Sequence, residues 1–219
     1  MRRAVVLLLL ACASPAIART GPRGGGGALA STPAAGQMAA WVAQANDTRG
    51  RPYLIVDKQA ARVFAFDADG TLRAMSPALL GSARGDTIPV GIGARSLAQI
   101  GPADRITQAG RFEAHIGPDL HEDVLWIDYD SGLSLHRVVT TSRTEHRLTR
   151  LATPSIDDNR ISFGCINVPR IFYETVVAPR FRPAGGVVYI LPEQHTTTEV
   201  FPMLRTRTVA PPVTLAATR

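Results

Sequence analysis

Lysine is almost missing from this chain: Lys58 is the only one among 24 basic residues, so the positive charge rests on arginine. This is the usage of a GC-rich genome as much as of any selected chemistry. Cysteine is scarce as well, with Cys12 and Cys165 alone, which excludes the disulfide framework that holds many small exported domains. Aromatic residues make up only 6%, and the arginines are scattered rather than clustered. Together these argue against a nucleic-acid surface, which interleaves basic and stacking groups. No apolar run approaches the ~20 residues that a membrane-spanning helix needs, and no internal repeat is visible. The formal net charge is +6 and falls to +4 without Arg2 and Arg3. Such a balance suits anionic surroundings, an acidic polymer or a membrane surface, only weakly.

With 219 residues, 45% of them hydrophobic, the chain can bury one ordinary core. Residues 1–18 read as an export signal: Arg2 and Arg3, an apolar stretch from position 4 to 10, then small residues ending at Ala16, Ile17 and Ala18. Cleavage after Ala18 is the simplest reading. A second reading uses Leu9, Leu10, Ala11 and Cys12, which is similar to the site where bacterial lipoproteins are cut and lipidated; membrane attachment is expected only in that case. Residues 19–48 form a Gly/Pro/Ala-rich linker, with a short helix over 38–45 and Trp41 packed on the domain. Residues 49–193 form the domain, and 194–219 a Thr/Pro-rich tail. Either way Cys12 is removed or lipidated, and Cys165 remains as a lone exported thiol.

The domain is predicted to be mainly β. Tyr53-Leu54-Ile55-Val56 and Arg62-Val63-Phe64-Ala65-Phe66 are β-branched or aromatic runs, followed by Asp69-Gly70, a pair suited to a tight hairpin. Further strands are predicted over 124–129, 133–139 and 187–191, and dense Gly and Pro between positions 77 and 118 exclude long helices there. One helix is well signalled. Asn167 can cap it, Pro169 suits its first turn, Ile171, Phe172, Val176 and Val177 give an apolar stripe, and Pro179 stops it.

Ile161-Ser162-Phe163-Gly164-Cys165-Ile166-Asn167 joins the lone thiol to a glycine and a following helix start. The thiolate is the reactive form, and a helix N-terminus with a nearby imidazole lowers a thiol pKa. Gly164 lets the backbone bend, so that the amides of Gly164 and Cys165 face an oxyanion. The base is expected at His136, inside the apolar strand pattern Leu133-Ser134-Leu135-His136-Arg137-Val138; His146, in a polar segment, is the competing base. His115, His121, Glu122 and Asp123 match no tight zinc spacing, so no metal or other cofactor is expected.

These two segments resemble the catalytic signature of the L,D-transpeptidase catalytic domain, also called the YkuD domain: an upstream His, then Ser or Thr, His, Gly, Cys, an apolar residue and Asn or Arg. Ser162, Gly164, Cys165, Ile166 and Asn167 match it, as does His136, whereas Phe163 departs from it. The stretch from His136 to Cys165 is longer than usual there, which suggests an inserted loop containing His146. Gly81 and Thr107-Gln108-Ala109-Gly110-Arg111-Phe112 add weaker likeness, and the whole spans about residues 50–192. The resemblance implies a YkuD-like β-sandwich or barrel with one or two short helices. It also implies an exported enzyme of the periplasm or cell envelope whose partners are peptidoglycan stem peptides. Cys165 would form a thioester, His136 would act as the base, and Ser162, Phe163, Asn167 and Arg137 would bind substrate or orient the motif. Acylation by a carbapenem is implied as well. The alternatives are a carboxypeptidase using water as acceptor, and a non-catalytic peptidoglycan-binding protein in which Phe163 marks a degenerate site.

Overall fold

A computed structural model describes residues 31–120 and 122–206. The expectations for the export signal, Cys12, His121 and the last 13 residues of the tail lie outside the described residues. Among the described residues no helix is long and apolar enough to cross a membrane.

The fold is mainly β. Its strands are β1 (Tyr53–Asp57), β2 (Arg62–Phe66), β3 (Leu72–Pro77), β4 (Leu80–Gly81), β5 (Gly110–Asp119), β6 (Glu122–Asp128), β7 (Leu133–Arg137), β8 (Arg160–Ser162), β9 (Ile166–Val168) and β10 (Gly186–Leu191). Eight of them form one sheet in the order β3-β2-β1-β10-β5-β6-β7-β9, while β4 pairs with β8. The chain leaves β3 and at once bridges β9 through Leu79 and Asn167, whose backbones exchange bonds of 2.8 and 2.9 Å. That bridge draws the two edges of the sheet together, so it is nearly closed and leaves little exposed edge.

The expected hairpin is present. Gly70 takes φ 83°, and the Asp67 and Gly70 amides close the turn between β2 and β3. β1 and β10 pair in parallel and are buried on both faces, so they read as continuous apolar runs. One face packs under the helical run 170–181 with Phe172, Tyr173, Val177 and Phe181; the other packs under helix α1 (Pro33–Ala45) with Ala35, Met38 and Val42.

Three expectations need correction here. The short helix expected over 38–45 is present but starts earlier, as α1, capped by Thr32 whose hydroxyl accepts from the Ala35 amide, and its apolar residues belong to the core, so residues 33–45 are no linker. The segment read as a tail folds back as Thr197–Val200 and buries Phe201 against Tyr189. The helix after the cysteine motif starts at Arg170 and does not stop at Pro179; a π turn over Tyr173–Val177 precedes the Ala178–Phe181 segment that carries the proline near its start. Ile171, placed in the apolar stripe by sequence, is 67% exposed.

Candidate active site

Cys165 lies in the turn between β8 and β9, partly buried, on the wall of a cleft of about 150 Å³. The opposite wall is the irregular segment 88–108, contributing Ile88, Ile92, Ile100 and Ile106, and Phe163 lies beside the thiol. The turn is held by two buried hydroxyls. Ser162 Oγ accepts from the Gly164 amide at 3.1 Å and donates to the Cys165 carbonyl at 2.6 Å. Thr107 Oγ1 donates to the Gly164 carbonyl at 2.7 Å and accepts from the Gly81 amide at 2.9 Å. Gly164 has φ 137°, and a Cβ there would meet the Ile106 carbonyl; a Cβ on Gly81 would lie 2.3 Å from the Arg105 carbonyl oxygen. Both glycines are therefore fixed by close backbone approach.

β7 supplies the chemistry. Because side chains alternate along a strand, Leu133, Leu135 and Arg137 face one way while Ser134 and His136 face the cysteine. The His136 ring lies near enough to the Cys165 thiol for each to shift the other's pKa, while the thiol itself donates to the Gly132 carbonyl at 3.5 Å. Burial opposes the imidazolium, but the sulfur and the Arg137 carbonyl outweigh it and raise the His136 pKa. Burial likewise opposes the thiolate, but His136 and then Ser134 outweigh it and lower the Cys165 pKa. Both shifts favour a thiolate–imidazolium pair.

His136 Nδ1 lies 2.7 Å from the Arg137 carbonyl, which only accepts, so Nδ1 carries a proton and the neutral ring keeps its lone pair on Nε2. Asn167 Nδ2 sits 3.4 Å from Nε2 and donates to the Cys165 carbonyl at 3.3 Å. Its Oδ1 accepts from Arg147 Nη1 at 2.7 Å, which fixes which end of the amide faces the ring.

The sequence-predicted residues divide accordingly. Cys165, His136, Asn167, Ser162, Gly164 and Phe163 come together. Asn167, however, lies in β9 and caps nothing; the helix begins after the strand, with Pro169 at its N-cap. Of the two amides expected to face an oxyanion, that of Gly164 is turned to Ser162 instead. Ser162 is buried and bonds only backbone, so it shapes the turn, the second of the two parts expected of it. Arg137 leaves the site altogether: it stacks over Tyr173 and pairs with Asp123 and Glu174. His146 is exposed and lines a separate hollow with Arg143 and Thr140.

Two residues were missed. Ser134 Oγ lies 3.5 Å from Sγ, and the two-residue alternation from His136 could have found it. Arg147 reaches in from the inserted segment, and no local pattern announces it. Its charge holds the His136 pKa down, so Arg147→Ala is expected to move the ring's titration to higher pH, as read by NMR of the imidazole.

Lys58 is not a stray of composition. It is fully buried behind the site, its ammonium donating to Asp86 Oδ1 at 2.7 Å and to the Thr107 carbonyl at 2.8 Å, the residue that clamps Gly164. Glu193 and Arg160 complete the cluster.

No family model and no curated protein matches the sequence. Among solved structures the chain is similar to the helical cell shape determining protein Pgp2 from Campylobacter jejuni, at 14% identity and TM-score 0.42, covering 72% of this chain and 56% of that one. It is also similar to the L,D-transpeptidase from Xylanimonas cellulosilytica, at 14% identity and TM-score 0.38, covering 64% and 60%. A third likeness is to the catalytic domain of the E. faecium L,D-transpeptidase, at 16% and 0.38, covering 65% and 98%. The chain spans under two thirds of the length of the first structures that it matches. Nothing about the site follows from likenesses of this degree.

Proposed function

We propose that the chain is a cysteine acyltransferase of the L,D-transpeptidase kind, acting on peptidoglycan stem peptides after export to the periplasm or cell envelope. The observation that carries this reading is that Cys165 stands on the wall of a cleft with His136 beside it, Asn167 Nδ2 lying 3.4 Å from the ring's Nε2 and 3.3 Å from the Cys165 carbonyl, and thiol and ring shift each other towards their charged forms. An inert buried cysteine would have no such partner.

The thiolate attacks the carbonyl carbon before the terminal D-alanine of a stem tetrapeptide, and the carbonyl electrons move to oxygen, which the Cys165 amide stabilises. When the tetrahedral intermediate collapses, the C–N bond breaks and the imidazolium of His136 delivers its proton to the departing amine. The thioester then meets an amine acceptor, whose proton passes to His136 Nε2 as the new amide bond forms and the C–S bond breaks. Water in place of the amine gives a carboxypeptidase. Asn167, held by Arg147, keeps the ring and the Cys165 carbonyl in register, and Ser134 donates to the sulfur. A carbapenem acylates the same sulfur, as the strained C–N bond of its ring breaks and the ring nitrogen, still tethered, takes the proton from His136.

Mass spectrometry of tetrapeptide muropeptides incubated with the protein tests the reading. Loss of D-alanine is expected, with dimers if an amine is the acceptor, and neither product with Cys165→Ala. Intact substrate with the native protein, together with no mass gain on exposure to a carbapenem, contradicts the proposal.

A further inference from the structure

Arg147 keeps one donor that the protein leaves unanswered. Its side chain is only 12% exposed, its Nε donates to Glu145 at 2.6 Å and its Nη1 to Asn167 Oδ1 at 2.7 Å, which leaves Nη2 without an acceptor among the described residues. A guanidinium nitrogen largely withdrawn from water rarely stays unpaired. Arg147 lines a hollow of about 190 Å³, separate from the thiol cleft, whose walls also include Arg143, His146 and the hydroxyl-bearing Thr140 and Thr149. Arg143 and His146 are exposed, and no carboxylate pairs with either side chain among the described residues. Glu145 is the single acidic residue from position 131 to 156, and it is spent on Arg147. His146 holds a left-handed backbone, φ 48°, a conformation costly for a residue with a Cβ and concentrated at ligand sites.

We propose that this hollow is an oxyanion site, taking a phosphate group whose oxygens accept from Arg147 Nη2 and from Arg143, His146 and the threonine hydroxyls around it. Guanidinium forks match phosphate oxygens, and a doubly charged group answers several cations better than a single carboxylate does. The site is tied to the reacting pair. The guanidinium that receives the anion also donates to Asn167, whose Nδ2 lies 3.4 Å from His136 Nε2, so an occupant that offsets the Arg147 charge is felt at the ring. Binding stands apart from the acyltransfer reading above; only its consequence for a reacting His136 rests on that reading. A phosphate free in solution and one carried by a lipid headgroup share this chemistry.

The test follows the imidazole NMR signals of His146 and His136 in the full chain as inorganic phosphate is added at constant pH and ionic strength. Both sets are expected to move along one saturation curve, with the larger displacement at His146, while chloride moves neither saturably. Arg143→Gln should weaken the apparent affinity about tenfold, the worth of one charge-assisted hydrogen bond, and Arg143→Lys should weaken it less. Vesicles of phosphatidylglycerol in phosphatidylcholine separate the two sources. Protein bound to them and displaced by phosphate assigns a headgroup to the site, whereas protein that ignores them while still answering phosphate assigns the free ion. Shifts that do not saturate, or that are equal in the native protein and Arg143→Gln, overturn the site, and two different saturation curves overturn its tie to His136. Failure of the acyltransfer reading shows instead as iodoacetamide labelling of Cys165 no faster than in the unfolded chain, with the phosphate shifts intact.

Discussion

Exchanging His136 for glutamine is expected to slow alkylation of Cys165 at neutral pH by about 30- to 100-fold. An ordinary thiol is only a few per cent thiolate at neutral pH, and burial alone would push the Cys165 thiol higher still. The neighbouring His136 reverses that and lowers it. In the native protein the rate therefore reaches its plateau below the ordinary thiol range and stays there, while in the variant it climbs with pH throughout the neutral range. Stopped-flow labelling with iodoacetamide across that range checks both features. Glutamine keeps the volume of the ring, so thermal stability should hold.

Asp86→Ala is expected to destabilise the fold by about 3–5 kcal/mol, which lowers the melting temperature by roughly 10 °C for a domain of this size. Lys58, the Glu193, Gln194 and His195 amides and His195 Nδ1 all converge on the two oxygens of Asp86. Its removal leaves a buried ammonium and three backbone N–H groups without their acceptor, so this change should cost more than Lys58→Met. Burial raises the Asp86 pKa, but Lys58 and the amides outweigh it and hold the carboxyl well below the usual carboxylate range. Burial pulls the Lys58 pKa down in turn, against the pull of Asp86 and Glu193. The direction that governs is that of Asp86, which has the larger set of partners. A carboxyl whose folded pKa lies below its unfolded value contributes fully above the ordinary carboxylate range, and the contribution is lost as pH falls through the folded value. The native protein should accordingly lose stability in acid more steeply than Asp86→Ala, as read by thermal melts over the acidic range. The thiol should also become less reactive in Asp86→Ala, because Lys58 steadies Thr107 and Thr107 steadies the cysteine turn.

The sequence announced the parts of this molecule whose signals are local. The runs of β1 and β2 declare buried strands, and Asp69-Gly70 declares the turn. The cysteine motif and the apolar strand around His136 give the pair proposed to react, since one needs only a lone thiol and an imidazole held by a rigid element. β5 was not legible, because its alternating His, Arg and Glu side chains read as a polar loop and only its pairing between β10 and β6 makes it a strand. α1 was legible in its second half, as the short helix over 38–45, but Pro33 and Gly36 suggest a tether, and the helix begins earlier because Ala35, Met38 and Val42 are drawn into the core by tertiary burial that overrides propensity.

The misassigned site residues follow one rule of geometry. If His136 faces the cysteine, then Arg137 must face the other way and Ser134 must join the site, because successive residues of a strand point to opposite faces. Asn167 has the side chain of a helix cap, but it lies within strand β9, two residues short of the Pro169 cap position, and it faces the histidine instead. Arg147 is a contact between segments twenty positions apart, which no spacing argument reveals. Phe163 gains its meaning only from Arg105, which the fold brings over its ring.

The most direct measurement is an ultraviolet titration of the thiolate, taken as the difference between the native protein and Cys165→Ala. A single ionisation step well below the ordinary thiol range, displaced upward in His136→Gln, is what a sulfur ionised by its neighbouring imidazole must give. A step at or above the range of a free cysteine, unmoved by the loss of His136, would contradict it.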